Sequence, residues 1–234
     1  MVNHDGGTHA YTGRVSPGGE PDTQTLGCLT VTKVAVDEKM SNNCYLLRCA
    51  ETGDLVLIDA AAEPSRLLEL IGEGPLAAVV TTHQHWDHHR ALAAVKAAHP
   101  DAVVVAGAPD ADAIEEQTGV GVDRRVGEGD TVAVGACDLQ VIPIAGHTPG
   151  SIALLVDDDK VSDHPHLFTG DSLFPGGVGG TFGDDDAFAQ LIGDVETKLF
   201  GRLPDETRFY PGHGDDGVLG DERPHLAEWR ERGW

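Results

Sequence analysis

The sequence predicts an α/β fold in which two β-sheets pack face to face with helices on their outer sides. Three observations carry this. Apolar runs of strand length fall into two groups along the chain. Each group is followed by segments of helical composition, an order that suits two packed sheets rather than a regular βαβ alternation. The 234 residues are 40% hydrophobic with no apolar run of membrane-spanning length, so the chain can bury a core of its own.

Residues 1–24 are rich in Gly, Pro, Thr and Asp and show no periodicity. They read as an irregular arm, either loose or draped over the surface. Residues 25–234 then read as one domain. Leu29 to Val36 alternates as a strand does, with Leu29, Val31 and Val34 to Val36 apolar. Cys44 to Cys49 and Leu55 to Ile58 are further apolar runs, and Gly53-Asp54 between them suggests a hairpin. Pro64 to Ile71 reads as a short helix, with Leu67, Leu68 and Ile71 on one face and Pro64 near its start. Leu76 to Val80 is continuously apolar, as a buried strand is, and leads directly into His83.

His89 to His99 is alanine-rich and helical in composition. Asp101 to Ala106 reads as a buried strand and Pro109 to Gln117 as a helix. Thr131 to Val134 and Leu139 to Ile144 flank Gly135 as a hairpin. Ile152 to Val156 is a strand, and Leu167 to Thr169 another that leads to Gly170-Asp171. Asp184 to Phe200 is the longest helical segment. Arg208 to Tyr210 is a strand leading to His213, and Pro224 to Arg230 a short closing helix.

The net charge of −23 repels phosphate backbones and anionic lipid, so neither nucleic acid nor a membrane is expected as partner. Met1 to Glu20 has no basic stretch followed by an apolar one, which leads us to expect a cytoplasmic protein. The four cysteines, Cys28, Cys44, Cys49 and Cys137, form no C-x-x-C pair and read as buried reduced thiols.

The chemistry concentrates in Thr81-Thr82-His83-Gln84-His85-Trp86-Asp87-His88. Neutral imidazole and carboxylate are the usual ligands of a catalytic zinc-type ion. In extended chain, residues two apart project to one side, so His83, His85 and Asp87 can converge at a strand end. A turn then brings His88 to a second position. Three more candidates follow apolar strands and a glycine: His147 in Gly146-His147-Thr148-Pro149-Gly150-Ser151, Asp171 in Thr169-Gly170-Asp171, and His213 in Pro211-Gly212-His213-Gly214. Each alone reads equally as a surface histidine or a turn. Together they make seven ligands, more than one tetrahedral ion can use and suited to two ions with a bridging carboxylate.

This ordered set of motifs resembles the metallo-β-lactamase-fold hydrolases, and within them the glyoxalase II-like enzymes in a short bacterial form. The resemblance covers roughly Met40 to His213. It implies a four-layer αββα sandwich as the catalytic domain. It also implies that His83, His85 and His147 hold a first metal, that Asp87, His88 and His213 hold a second, and that Asp171 bridges them. Two divalent ions are therefore expected, zinc first, with iron or manganese as alternatives. Secreted β-lactamases of this fold lack the bridging aspartate, so antibiotic hydrolysis is not the expected role. Full-length glyoxalase II enzymes carry a long helical C-terminal extension that grips glutathione, whereas 21 residues follow His213 here. The expected activity is hydrolysis of a small thioester, with lactones and other esters as near relatives. The nucleophile would be a hydroxide shared by the metals and oriented by Asp87. The absence of a Gly-x-Ser-x-Gly elbow agrees with this. The alternative is a mononuclear iron persulfide dioxygenase of the same fold, which would use His83, His147 and Asp171. RNA processing is disfavoured by the charge.

Around these ligands, Asp59 reads either as a partner that orients an imidazole or as a helix-capping or turn residue. Asn42 and Asn43 read either as residues close to the site or, in preference, as hairpin residues. The loop Phe174 to Gly183, with five glycines in ten residues, reads either as backbone approaching a ligand or as a flexible connection. Phe174, Phe182 and Trp86 would line an apolar wall or belong to the core. His4, His9, His89, His99, His164, His166 and His225 are not expected on metal, with His164 and His166 at the surface.

Overall fold

The computed structural model describes residues 10–233. Strands β1 (Asp22–Leu26), β2 (Leu29–Val36), β3 (Asn42–Cys49) and β4 (Leu55–Ile58) form an antiparallel meander. Helix α1 (Pro64–Ile71) leads to β5 (Leu76–Thr81), α2 (Leu92–Ala98) to β6 (Val103–Gly107), and α3 (Ala111–Thr118) to β7 (Arg124–Val126). These last three strands extend the same sheet in parallel, giving the order β1-β2-β3-β4-β5-β6-β7. The half of the sheet from β4 onward is thus a βαβ series, contrary to the expectation from the strand grouping. The short, charged β7 hid that pattern, since Arg124 and Arg125 carry no strand signal.

The second sheet has the order β15-β14-β11-β10-β9-β8. Its strands are β8 (Thr131–Val134), β9 (Cys137–Pro143), β10 (Ile152–Val156) and β11 (His166–Gly170), then β14 (Arg208–Pro211) and β15 (Gly217–Val218). Strands β12 (Leu173–Phe174) and β13 (Gly177–Val178) form a separate small hairpin. Asp184 caps α4 (Asp185–Asp194) by accepting a hydrogen bond from Ala187 N at 2.9 Å, and the helix continues through a wider π-helical turn, Val195–Phe200. The chain closes with α5 (Leu219–Glu222) and α6 (Leu226–Arg232).

Three apolar layers separate four layers of structure. Leu29, Leu47, Ile58 and Val80 meet Leu139, Leu154 and Phe168 between the sheets. Val34, Leu57 and Val79 on the other face of the first sheet pack on Leu67, Leu92 and Ile114 of α1 to α3. Ile142, Leu155 and Phe209 pack outward on Leu191, Val195 and Trp229. Strands buried on both faces read as continuous apolar runs rather than alternating ones, which is why β4, β5 and β10 were legible. The αββα sandwich is the observed architecture.

Of the expected arm, residues 1–9 lie outside the described residues. Asp22 to Gln24, read as its end, are the first three residues of β1; Asp-Thr-Gln-Thr-Leu is too polar to announce an edge strand. Residues 11–13 are tied down: Asp22 accepts hydrogen bonds from Thr12 N, Thr12 Oγ1 and Gly13 N at 2.8–3.0 Å. Cys44, Cys49 and Cys137 are buried, while Cys28 is half-buried with its sulfur 2.8 Å from that of Cys137. His166, expected at the surface, is 1% exposed and shares a 2.6 Å hydrogen bond with the Tyr210 hydroxyl. It opens β11, whose neighbours on both sides cover it.

Candidate metal centre

All seven expected ligands come together at one edge of the sandwich, beyond the ends of strands from both sheets. Strand β5 delivers His83 and His85, and a single short helical turn, Trp86–His88, brings Asp87 and His88 round. The β9–β10 connection supplies His147, the end of β11 supplies Asp171, and the end of β14 supplies His213. Among the described residues, three groups of candidate ligand atoms lie close enough to hold a metal ion: His83, His85 and His147; His83, His88 and Asp171; and Asp87, His88 and His213.

The spacings suit metal coordination. An ion with bonds of about 2.0–2.1 Å holds its tetrahedral ligand atoms roughly 3.3–3.4 Å apart. Here His88 Nε2 lies 3.4 Å from Asp171 Oδ1, 3.7 Å from Asp87 Oδ2 and 3.2 Å from His213 Nε2. His213 Nε2 lies 3.6 Å from Asp87 Oδ2 and 3.4 Å from Asp171 Oδ2. Asp171 Oδ2 is also 3.8 Å from His147 Nε2, so this carboxylate reaches both groups. The rings of His83, His85 and His147 stand 4.5–4.9 Å apart, edge to face.

Hydrogen bonding fixes which nitrogen faces the centre. His147 Nδ1 donates to Gly180 O at 2.8 Å, and His213 Nδ1 donates to Met40 O at 2.8 Å. His88 Nδ1 donates to Asp59 Oδ2 at 2.8 Å. Thr82 Oγ1 donates to Asp59 Oδ2 at 2.8 Å and accepts from His83 Nδ1 at 3.0 Å. Each Nδ1 is therefore the protonated nitrogen, and each Nε2 turns a lone pair inward. Among the described residues, His83 Nε2, His147 Nε2 and Asp171 Oδ1 are buried with no hydrogen-bond partner. Buried polar atoms are rarely left unpaired, so this set has the chemistry of a metal-binding site.

Charge agrees. Burial, with other imidazoles nearby, holds His83 well below the usual histidine range, and burial lowers His85 and His147 too. Those three stay neutral and ready to ligate. Burial opposes charge on His88 and His213 as well, but the adjoining carboxylates overcome it: Asp171 and Asp59 raise His88 well above its usual value, and Asp171 raises His213. Burial opposes ionisation of Asp171, but the imidazoles of His88 and His213 hold its carboxyl well below its usual value.

Supporting residues come from many elements. Asp59, the alternative capping residue, instead serves the histidines. It is buried, has a left-handed backbone (φ 59°), and also accepts from Thr82 N at 2.8 Å. Asn42 and Asn43 are not hairpin residues. They begin β3, where Asn42 Nδ2 donates to Asp87 Oδ2 at 2.9 Å and Asn43 Nδ2 donates to Pro211 O and Gly214 O at 2.9 Å. Asp110 was not singled out by sequence. Its carboxylate accepts from Gln84 N (2.9 Å), Thr148 Oγ1 (2.5 Å) and Gly150 N (2.7 Å), stapling the His83–His85 segment to the His147 loop. Only the tertiary fold could reveal it, because an Asp before a helix ordinarily reads as a cap. His89 bonds Gln84 O at 3.1 Å and stays off the cluster. A Cβ at Gly212 would strike the Asp171 carboxylate, so only glycine fits before His213.

The loop Phe174 to Gly183 follows the backbone-approach reading: Gly180 O orients His147. Phe182 is 85% exposed with a left-handed backbone (φ 56°), and its ring lies 5.7 Å from that of His85 and 6.2 Å from that of His147. Trp86 is 52% exposed and stacked on the Arg90 guanidinium at 4.6 Å. Phe174 stands 6.4 Å from His213. Phe182 thus rims the cluster, whereas Trp86 is exposed against Arg90; neither fills the core.

The chain resembles a hydroxyacylglutathione hydrolase-like protein of Homo sapiens, 33% identical over 174 residues that make up 74% of this chain and 56% of that protein. The chain therefore spans a little over half the length of this relative. The mitochondrial persulfide dioxygenase ETHE1 of Mus musculus is 30% identical over 78% of this chain and 67% of its own length. Among solved structures, TTHA1623 in a di-iron-bound form superposes with a TM-score of 0.65 at 31% identity, covering 82% of this chain and 96% of that one. The family model of the metallo-beta-lactamase superfamily matches residues 38–213, the stretch that carries every ligand described above, and the chain belongs to that superfamily.

Proposed function

We propose that this protein is a dinuclear metal-dependent hydrolase acting on a thioester of a small thiol. His83, His85 and His147 would hold one ion, Asp87, His88 and His213 the other, with Asp171 between them. The observation that carries the proposal is the convergence of seven ligand side chains with four imidazole lone pairs fixed inward by their Nδ1 bonds. When bound, a pair of divalent ions supplies Lewis acidity and brings the pKa of a shared water towards neutrality.

The chain's own residues do the rest. Asp87 accepts a hydrogen bond from the attacking water and aims it, and Asn42 Nδ2 holds the Asp87 carboxylate in place. Asp59 keeps His83 and His88 in the tautomers that ligate, through Thr82 Oγ1 and directly. Phe182, beside His85 and His147, offers an apolar rim to the acyl or thiol part of the substrate. No side-chain nucleophile is required for this reaction.

A second reading is a mononuclear iron persulfide dioxygenase using His83, His147 and Asp171. The likeness to the mouse persulfide dioxygenase favours it. The complete second set Asp87, His88 and His213 favours the hydrolase. Assaying S-acyl thiols under strictly anaerobic conditions separates the two. Thioester turnover that continues without oxygen is the expected result. Oxygen-dependent persulfide consumption with no thioester turnover would overturn the hydrolase.

A further inference from the structure

Lys33 lies in the middle of β2 and is fully buried. Its three donors meet three acceptors: Gly13 O at 2.7 Å, Gly214 O at 2.8 Å and Asp216 Oδ1 at 2.6 Å. Asp216 Oδ2 also accepts the Tyr11 hydroxyl at 2.5 Å. Burying an ion pair is a poor route to stability, because desolvation offsets the attraction and apolar residues often serve as well. What this pair does is join the two sheets at one point. Lys33 belongs to the first sheet, whereas Gly214 and Asp216 follow His213 on the loop after β14 of the second.

That junction matters for the metal centre. Asp87 and His88 are mounted beyond β5 of the first sheet, but their partner His213 arrives from the second. On its outer side the His213 ring is held through Nδ1 by Met40 O, and Met40 is 40% exposed. The turn beneath it is pinned from the first sheet. Asn43 N donates to Gly212 O at 2.7 Å and the Tyr45 hydroxyl to Pro211 O at 2.7 Å. Lys33 shares Gly214 O with Asn43 and extends the hold to Asp216.

We propose that Lys33, paired with Asp216, is a positioning residue that sets His213 for the second metal position across the two sheets. This rests on the dinuclear reading above. Tyr11 then anchors the N-terminal segment to Asp216 and contributes nothing to the metal site.

The test uses zinc as the probe and a chromophoric chelator in competition to read stoichiometry and stepwise affinity. The proteins are wild type, the apolar pair Lys33→Met/Asp216→Leu, Asp216→Asn and Tyr11→Phe, with far-UV circular dichroism on each. Wild type is expected to hold two zinc ions. The apolar pair avoids leaving an unpaired buried charge. It is expected to keep the first zinc at wild-type affinity and to bind the second roughly 10–100-fold more weakly, the usual scale for groups that orient ligands. Asp216→Asn retains a neutral hydrogen bond and is expected to weaken the second zinc by less, which gives a reading even where the double variant does not fold. Tyr11→Phe is expected to bind both ions as wild type does. Two zinc ions at wild-type affinity in the folded apolar pair, or equal weakening at both positions, would overturn the positioning role. So would a loss in Tyr11→Phe that matches the double variant. A single zinc in wild type itself would instead remove the dinuclear reading on which the proposal stands.

Discussion

Replacing Asp59 by Asn tests how the imidazoles are oriented. Asparagine keeps the volume and tolerates the left-handed backbone at φ 59°, so the perturbation is confined to the carboxylate. Asp59 now accepts three hydrogen bonds at 2.8 Å, from Thr82 N, Thr82 Oγ1 and His88 Nδ1. An amide has one acceptor oxygen. If it stays on Thr82 N, its NH2 group faces the two donors that Oδ2 served. Loss of a hydrogen bond to a charged group costs about 1.5–3 kcal/mol when the site is buried. That corresponds to a roughly 10–100-fold weaker metal affinity, the range seen for such partners. The larger loss falls on the position held by His88. His83 feels it less, because Thr82 Oγ1 stands between. Zinc titration against a competing chelator measures each step. A folded Asp59→Asn protein whose two zinc affinities stay within about twofold of wild type would refute the argument that Asp59 fixes the ligating tautomer.

Other expectations follow from the same geometry. His85→Ala should abolish hydrolysis while leaving the circular dichroism spectrum unchanged; full turnover in that variant would overturn the dinuclear assignment. Phe182 touches only the rim, so Phe182→Ala should raise KM several-fold with metal content intact, and an unchanged KM would remove it from substrate contact. His166 is pushed down to about 4 by burial, with His164 adding to the effect. A base with a depressed folded pKa keeps full stability above its unfolded value of about 6.5 and loses it as pH falls towards about 4, by at most about 3 kcal/mol. Denaturant midpoints of wild type should fall across that window, and those of His166→Gln should fall less; parallel curves would contradict the assignment.

The candidate cluster was legible because period-two spacing and strand-ending glycines are local signals, and the fold brings His83, His85, Asp87, His88, His147, Asp171 and His213 within reach of one another. The αββα layering was legible from strands buried on both faces. The rest depended on contacts distant in sequence. Asn42 reads as a turn residue until β3 is seen to run beside Asp87. Asp110 carries no signal of its own within the segment Pro109 to Gln117 until Gln84 and Thr148 are folded against it. Lys33, which the sequence pattern did not single out, is explained only by Gly214 and Asp216 arriving from the other sheet. His166 looks exposed beside the acidic residues Asp157 to Asp163, yet Tyr210 covers it. The polar β1 and the three-residue β7 are strands by pairing alone.

Metal content per chain is the most direct test of the central claim. Elemental analysis of protein expressed with zinc and iron both supplied should return two divalent ions per chain, filling both ligand groups around Asp171. A single iron per chain, with the Asp87, His88 and His213 set left to protons, would contradict the dinuclear account.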